Sequence, residues 1–412
     1  MEYLSVTNAQ QCILESVKLL EAESVGLERS LGRVLAEAVS ANRDLPPYDV
    51  SAMDGYAVRS ADLANIPATL EVIEDIKAGD MPGKTVLAGR CARIMTGAPV
   101  PQGADAVIRV EDTEALSEGK VQINAAVKPG NDIRLQGEGM RNGEVVLTAG
   151  TEITPGVTGV LATVKQPQVQ VYRRPRVAIL STGNELEDMD DPVDPDKIPN
   201  SNSYALMAQV QALGIEPDLL GIARDDPVEL EEYLQRGLRF DVLLVSGGTS
   251  VGVHDYVRPT IEALGVQMKF WRVAMKPGHP VAFGTTASCV FFGLPGNPVS
   301  SMVCFEEFVA PALRRMMGHQ RLFRRTMAAR LTHNVKHQPG RTEFVRVTLA
   351  KGEDGYAATS TGAQGSGMLL SMAKADGLML IPAESTGLAA GEQVTVQLLD
   401  GTVFQGEAGF RE

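Results

Sequence analysis

The chain has 412 residues, which at roughly 150 residues per domain predicts about two to four domains, and it carries 51 acidic against 38 basic residues for a formal net charge of −13. That balance argues against a nucleic-acid partner, which needs a basic face. Four scattered cysteines without CxxC spacing predict reduced thiols and a cytoplasmic protein, and no apolar run approaches the roughly 18 residues of a membrane span.

Thr7 or Asn8 is placed to cap a first helix whose Ile13, Leu14, Val17 and Leu20 recur at helical spacing. Pro46 and Pro47 stop regular structure. From there to Gly150, glycines and prolines separate short strand-like pieces such as 104–110 and 121–123, which predicts a small β-rich domain. Residues 176–180 (RVAIL) read as a buried strand that delivers Ser181, Thr182, Gly183 and Glu185 to its carboxyl end. Asn200 or Ser201 caps a helix running to 213. A strand over 219–222 then leads into Arg224, Asp225, Asp226 and Pro227, where either aspartate can cap the next helix.

The stretch 241–256, DVLLVSGGTSVGVHDY, carries the most information. Its Val242 to Val245 run is continuous rather than alternating, as expected of a parallel strand covered by helices on both faces. Gly247, Gly248 and Ser250 follow at the carboxyl end, where open α/β sheets bind ligands and where glycine lets backbone N–H groups approach a phosphate. Asp255 adds a carboxylate. The logic recurs at 289–292, a strand running into Pro295, Gly296, Asn297, Pro298 and Ser300 at a helix start, a place that suits anions. Between them the sequence predicts a helix over 256–264, a strand over 270–275 that carries Arg272, and the loop Lys276, Pro277, Gly278, His279, Pro280. A helix is expected over 301–317, and the arginines at 314, 315, 321, 324 and 325 read as its solvated end. Beyond Thr326 alternation takes over, which predicts a β barrel or sandwich. His333 and His337 lie four apart in strand-like sequence with no third ligand, so they are not read as a metal pair.

The strings SAMDGYAV at 51–58 and RIMTGAPVPQGADAV at 93–107, followed in order by STGNEL, RDDP, SGGTSVGVHDY, KPGHP and LPGNPVS, resemble the molybdenum-inserting MoeA family of molybdenum-cofactor synthesis, related to the E domain of gephyrin. The resemblance covers essentially the whole chain. It implies an α/β plus β multidomain fold: an N-terminal domain of 1–45 and 141–172, an inserted β-rich domain of 46–140, a central three-layer α/β molybdopterin-binding domain of 173–325 with a mostly parallel sheet, and a C-terminal β domain of 326–412. It also implies a homodimer in which the inserted domain of one subunit faces the α/β domain of the other, with other cofactor-biosynthesis proteins as partners and no membrane. The reaction it implies takes adenylylated molybdopterin and molybdate, inserts the metal at the dithiolene and releases AMP. Asp54 and Thr96 match family residues that complete the site.

The residue types separate into two sets. Glu185, Asp225, Asp226 and Asp255 follow strands of one sheet, and converging carboxylates repel by ~1–4 kcal/mol per pair at 4 Å, which a hard divalent cation such as Mg²⁺ relieves. Glu185, Asp225 and Asp255 are the expected metal ligands. Molybdate, a dianion, falls to Arg272, Lys276, Arg341 and Arg346 with Ser366 as hydroxyl donor. Two positions depart from the family pattern. Gly139 stands where an aspartate is usual, next to Glu138, and His279 stands where many members have a second lysine. A molybdopterin adenylyltransferase and a catalytically weakened scaffold are the competing readings; the adenylyltransferase is usually the α/β domain alone.

Overall fold

Val242–Ser246 is buried along its whole length, and its alternate residues point into two different cores. Val242 and Leu244 pack with Val177, Ile179, Val290 and Phe292 on one side, while Leu243 and Val245 pack with Ala178, Leu180 and Phe291 on the other. Burying each such side chain contributes about 1.5–3 kcal/mol, so a strand flanked on both faces is apolar up to Ser246 at its carboxyl end. The computed structural model, which describes residues 3–248, 256–352 and 355–399, places this strand third in a six-stranded sheet. The order is Asp218–Ala223, Val177–Thr182, Val242–Ser246, Val290–Leu294, Ala282–Thr285, Gln267–Phe270. The first four run parallel and the last two join antiparallel. Helices Val6–Ser16, Ser201–Ala212 and Pro298–Cys304 supply one core, and Pro227–Gly237 and Val257–Ala263 the other. The result is a three-layer α/β fold with a mostly parallel sheet.

Asp241 anchors the start of the central strand. It accepts from Arg173 at 2.7 and 3.1 Å and from the Arg176 N–H at 2.7 Å. Burial pushes its carboxyl up, but the Arg173 side chain and the Arg176 donors outweigh that and leave it below the usual carboxylate range.

Several local expectations change. Ser5, not Thr7 or Asn8, caps the first helix, accepting from the Asn8 N–H at 3.1 Å. Asp226 caps Pro227–Gly237 through Val228 and Glu229 N–H groups at 3.0 and 2.9 Å, which leaves Asp225 for other work. The expected strand over 270–275 ends at Phe270. The Ala274 N–H then goes to the Leu4 carbonyl, and Met275–Lys276 pairs in parallel with Thr342 and Glu343 instead. The helix expected from 301 already starts at Pro298, and it widens into a π turn over Phe305–Val309 before Ala310–Met316.

After Arg325, five strands close on themselves: Thr326–Leu331, Thr342–Gly352, Gly355–Ser360, Gly377–Ile381 and Gln393–Leu398. Val345, Val347, Met379 and Val396 fill the interior, and closure removes the open edges a sandwich would keep. The expected barrel-or-sandwich is therefore a barrel.

The chain divides into two units, one made of Met1–Ser24, Gly32–Ala36 and Gln170–Glu412 and containing both sheets above, the other of Val25–Leu31 and Glu37–Val169. The second unit holds a six-stranded sheet ordered Ala106–Arg109, Gly55–Val58, Arg90–Ile94, Ala68–Ile76, Lys120–Ile123, Thr113–Ala115. Tyr56, Val58 and Ile108 pack on one side of it and Ala57, Ile94 and Val107 on the other. Among the described residues no helix is long and apolar enough to cross a membrane.

Candidate active site at the carboxyl edge of the parallel sheet

Parallel pairing puts Ser181 beside Ser246, and Ser246 beside Leu294. The three strands therefore end level, and the chain turns out of the sheet there through Thr182–Gly183, Gly247–Gly248 and Pro295–Pro298. These turns, with the start of Ser201–Ala212, line a cavity of about 580 Å³. Gly247 has φ +93, and a Cβ there would lie 2.6 Å from the Thr182 carbonyl oxygen. Only glycine fits so close an approach.

The floor is a network of small polar side chains. Asn200 caps Ser201–Ala212, and the Ser181 hydroxyl reaches Asn200 Oδ1 at 2.8 Å and Ser203 Oγ at 2.9 Å. Asn202, in the first turn, donates from Nδ2 to Ser246 Oγ and to the Gly296 carbonyl, both at 2.8 Å. It thereby ties the turn after Val242–Ser246 to the turn after Val290–Leu294. Asn200, Ser201 and Asn202 were read in the sequence only as a helix start. The signal for more was present, since that helix begins at the carboxyl edge, where ligands of such sheets bind.

Of the expected site residues, Ser181, Thr182, Glu185, Gly247, Gly248, Pro295, Gly296, Asn297 and Pro298 line this cavity. Asp225 is exposed, at the end of the neighbouring strand. Its Oδ2 accepts from the Asn184 N–H at 3.3 Å, and its own N–H donates to Asn184 Oδ1 at 3.1 Å. That reciprocal link holds Asp225 to the residue next to Glu185. Gly183 donates to the Ala223 carbonyl at 3.1 Å and Ser300 is buried in the first turn of its helix. Ser250 and Asp255 lie outside the described residues. Among the described residues no three Asp, Glu, His or Cys side chains converge to hold a metal.

The cationic set is not gathered in the cavity. Lys276 is half-exposed and pairs at 2.8 Å with Glu343, which is buried and also accepts from His337 Nδ1 at 2.7 Å. Arg346 is 1% exposed, and its guanidinium donates to Ser371 Oγ at 3.1 Å and the Gly365 carbonyl at 3.0 Å. Burial holds its pKa below the ordinary arginine value. Arg346 thus braces the segment carrying Ser366, whose carbonyl accepts from the Val299 N–H at 3.0 Å and whose neighbour Gly367 lines the cavity. Arg272 is half-buried and Arg341 exposed. Pro277 and Gly278 are buried, the latter with φ +100 and a would-be Cβ 2.5 Å from Cys304 Sγ. The Nδ1–H of His279 donates to the Val273 carbonyl at 2.9 Å. His337 is buried against Glu343, whereas the His333 ring meets the Thr332 hydroxyl, so the two histidines have different surroundings.

In the second unit, Asp54 Oδ1 accepts from the Thr96 N–H at 2.7 Å and the Thr96 hydroxyl at 2.8 Å. These two bonds, the backbone one first, hold Asp54 below the usual carboxylate range. Glu138 is engaged locally, with one oxygen against Arg134 Nε at 2.5 Å and the other on the Leu135 N–H at 3.0 Å.

A strand-ordered α/β domain with a polar cavity at its carboxyl edge, joined in one chain to a closed barrel and a second β-rich unit, defines the class of protein. Three family models match successive parts of it: the MoeA N-terminal region (domain I and II) over 4–164, the "Probable molybdopterin binding domain" over 178–315, and the MoeA C-terminal region (domain IV) over 328–399. The chain is 37% identical to a molybdopterin molybdenumtransferase of a Nostoc species, over 91% of this chain and 88% of that one. Identity to the molybdopterin molybdenumtransferase of Bacillus subtilis is 36%, over 96% and 94%. A crystal structure of a molybdopterin biosynthesis moeA protein from Pyrococcus horikoshii OT3 superposes with a TM-score of 0.84 at 30% identity, covering 97% of this chain and all of that one. The chain belongs to the molybdopterin molybdenumtransferase family, a family of enzymes of molybdenum cofactor biosynthesis.

Proposed function

We propose that the chain inserts molybdenum, supplied as molybdate, into adenylylated molybdopterin and releases AMP. The observation that carries the reading is the likeness to molybdopterin molybdenumtransferases along nearly the full length, over 96% of this chain against the Bacillus subtilis enzyme. An enzyme built from the α/β domain alone would leave the regions before and after it unmatched. The cavity supports the pterin-nucleotide end of the reading. Glu185 and Asp225, carboxylates on adjacent strand ends, fit Mg²⁺, which commonly uses one or two carboxylates with water and substrate phosphate. Glu185, Asp225 and Asp255 would hold it, and a bound divalent ion there supplies charge for pyrophosphate cleavage. Lys276 is assigned to the oxyanion: one N–H goes to Glu343, which leaves its other donors for a ligand. Arg272, Arg341 and Ser366 complete the oxyanion assignment, with Arg346 behind them as the buried brace of the segment that carries Ser366, and Asp54 and Thr96 are the contribution of the inserted domain.

Purified protein given adenylylated molybdopterin, molybdate and Mg²⁺ is expected to form AMP and a pterin product that activates a molybdenum-free apoenzyme. AMP that forms equally well without molybdate, with no activating product, would count against insertion. The reading includes a homodimer and a cytoplasmic location, and sedimentation at micromolar concentration is expected to give twice the 44.0 kDa chain mass. A monomer at that concentration would exclude sites shared between subunits.

A further inference from the structure

Met275–Lys276 runs parallel to the barrel strand Thr342–Gly352, in a register that sets Lys276 opposite Glu343. On its other side Glu343 pairs with Ile381, so its backbone is held from two directions. The Glu343 side chain is buried and both of its oxygens are engaged. Oε1 accepts from Lys276 Nζ at 2.8 Å, and Oε2 accepts from His337 Nδ1 at 2.7 Å. His337 is buried as well, and its Nε2 has no partner among the described residues. A donor at Nε2 would be left unmet there, so the ring proton belongs on Nδ1, where Glu343 takes it.

The buried carboxylate needs a cation, and Lys276 is the one that reaches it. The lysine side chain is itself 53% exposed, and an ammonium has three donors, so two remain after Glu343 is met. A four-carbon side chain fixed in advance has less freedom to lose when a ligand binds. We propose that Glu343 is a positioning residue for the oxyanion: steadied by His337, it holds the Lys276 ammonium so that its two remaining N–H groups are ready for molybdate. The inference rests on the reading that Lys276 binds the oxyanion, and it makes the barrel the source of that lysine's orientation. The charge of Glu343 also reaches buried Arg346, where it works against the lowering caused by burial. An action through Arg346 would not depend on Lys276, which gives the test its form.

Calorimetric titration of the full chain with sodium molybdate tests the proposal, with thermal unfolding to show that each variant is folded. Glu343→Gln keeps the shape and removes the charge that holds Lys276, and it is expected to weaken molybdate binding about tenfold, the cost of ordering one long side chain. Charge repulsion alone predicts the opposite, since loss of an anion favours a dianion. Lys276→Met is expected to bind molybdate at least about tenfold more weakly, and Glu343→Gln added to it is expected to change affinity by less than about twofold. His337→Leu, which removes the donor, is expected to weaken molybdate about threefold, while His337→Asn, whose amide N–H replaces Nδ1–H, is expected to stay within about twofold of the wild type. That pair decides even if Glu343→Gln does not fold, and equal affinity in the two would overturn the proposal. So would unchanged or tighter binding in Glu343→Gln, a loss that persists in the Lys276→Met background, or no binding by the wild type at millimolar concentration. Wild-type affinity in Lys276→Met would remove Lys276 from the oxyanion site and this inference with it. AMP release measured in parallel separates the two levels. Glu343→Gln is expected to raise the molybdate KM about tenfold with kcat within about threefold. The expected affinities without AMP release remove the insertase reading alone, and molybdate-dependent AMP release with a wild-type KM in Glu343→Gln removes this inference alone.

Discussion

Glu185→Gln is expected to lower the rate of AMP release about 10²-fold while leaving the affinity for the pterin nucleotide within about threefold of the wild type. The substitution keeps the size of the side chain and removes one charge. Glu185 is exposed at the cavity, so the fold loses little. What is lost is the carboxylate that, with Asp225 on the next strand end, would hold a divalent cation against the developing charge of a leaving phosphate. An interaction of that kind acts on the transition state more than on the bound substrate, so the effect belongs in the rate and not in binding. Asp225→Asn is expected to fall in the same direction by less, since an amide oxygen still accepts from the Asn184 N–H. Single-turnover AMP formation across a magnesium titration measures both. A Glu185→Gln rate within threefold of the wild type at saturating magnesium would remove Glu185 from the metal site.

Glu307→Gln is expected to stabilise the protein at pH 8 and to have little effect near pH 4.5. Glu307 lies in the π turn beside Glu306, both 5% exposed. The two carboxylates are treated differently. Glu306 is met by Arg324 at 2.8 Å and by the Gln209 amide at 2.8 Å. Glu307 is met by amides instead, Gln10 donating to Oε2 at 3.1 Å and Gln397 also reaching the carboxyl. Burial, reinforced by the charge of Glu306, pushes the Glu307 carboxyl up to about 7, with amides of Gln397 and Gln10 pulling the other way. Between pH 4.5 and about 7 the unfolded chain gives up this proton while the folded chain keeps it. Stability therefore falls as pH rises through that window, by about 1.4 kcal/mol per pH unit and about 3 kcal/mol in all, and then levels off. Glutamine imitates the protonated acid at every pH. The difference in melting temperature between Glu307→Gln and the wild type should open from about zero at pH 4.5 to several degrees at pH 8. A difference that does not grow with pH would mean that Glu307 already ionises freely in the folded protein.

Much of the architecture could be read from local pattern. An unbroken Val242–Val245 run implies a strand covered on both faces, and the structure divides its alternate residues between two cores. Glycines and prolines immediately after buried strands mark where backbone leaves a sheet, and the structure brings Gly247, Gly248 and Pro295–Pro298 to one cavity at that edge. Asp226 and Asp225 show the limit of such reading. Both are chemically able to cap Pro227–Gly237, and the approach of Asn184 from a neighbouring strand end is what goes with Asp225 leaving the cap to Asp226.

Residue type and short-range periodicity were enough for the strand–helix alternation and the glycine turns, because each depends on side-chain chemistry within a few positions along the chain, while the family came from the resemblance of its motif strings. The partners of charged and amide side chains depend instead on register and burial between distant segments. Lys276 meets Glu343 because Met275–Lys276 leaves one sheet for another, and Arg346 turns inward because the barrel closes around it. Asn202 faces Gly296 because two parallel strands end level with a helix start. Glu307 is raised toward neutrality because a helix from the start of the sequence covers it. Free energies of this kind come from desolvation and pairing across tens to hundreds of residues, and only the folded chain brings those groups together.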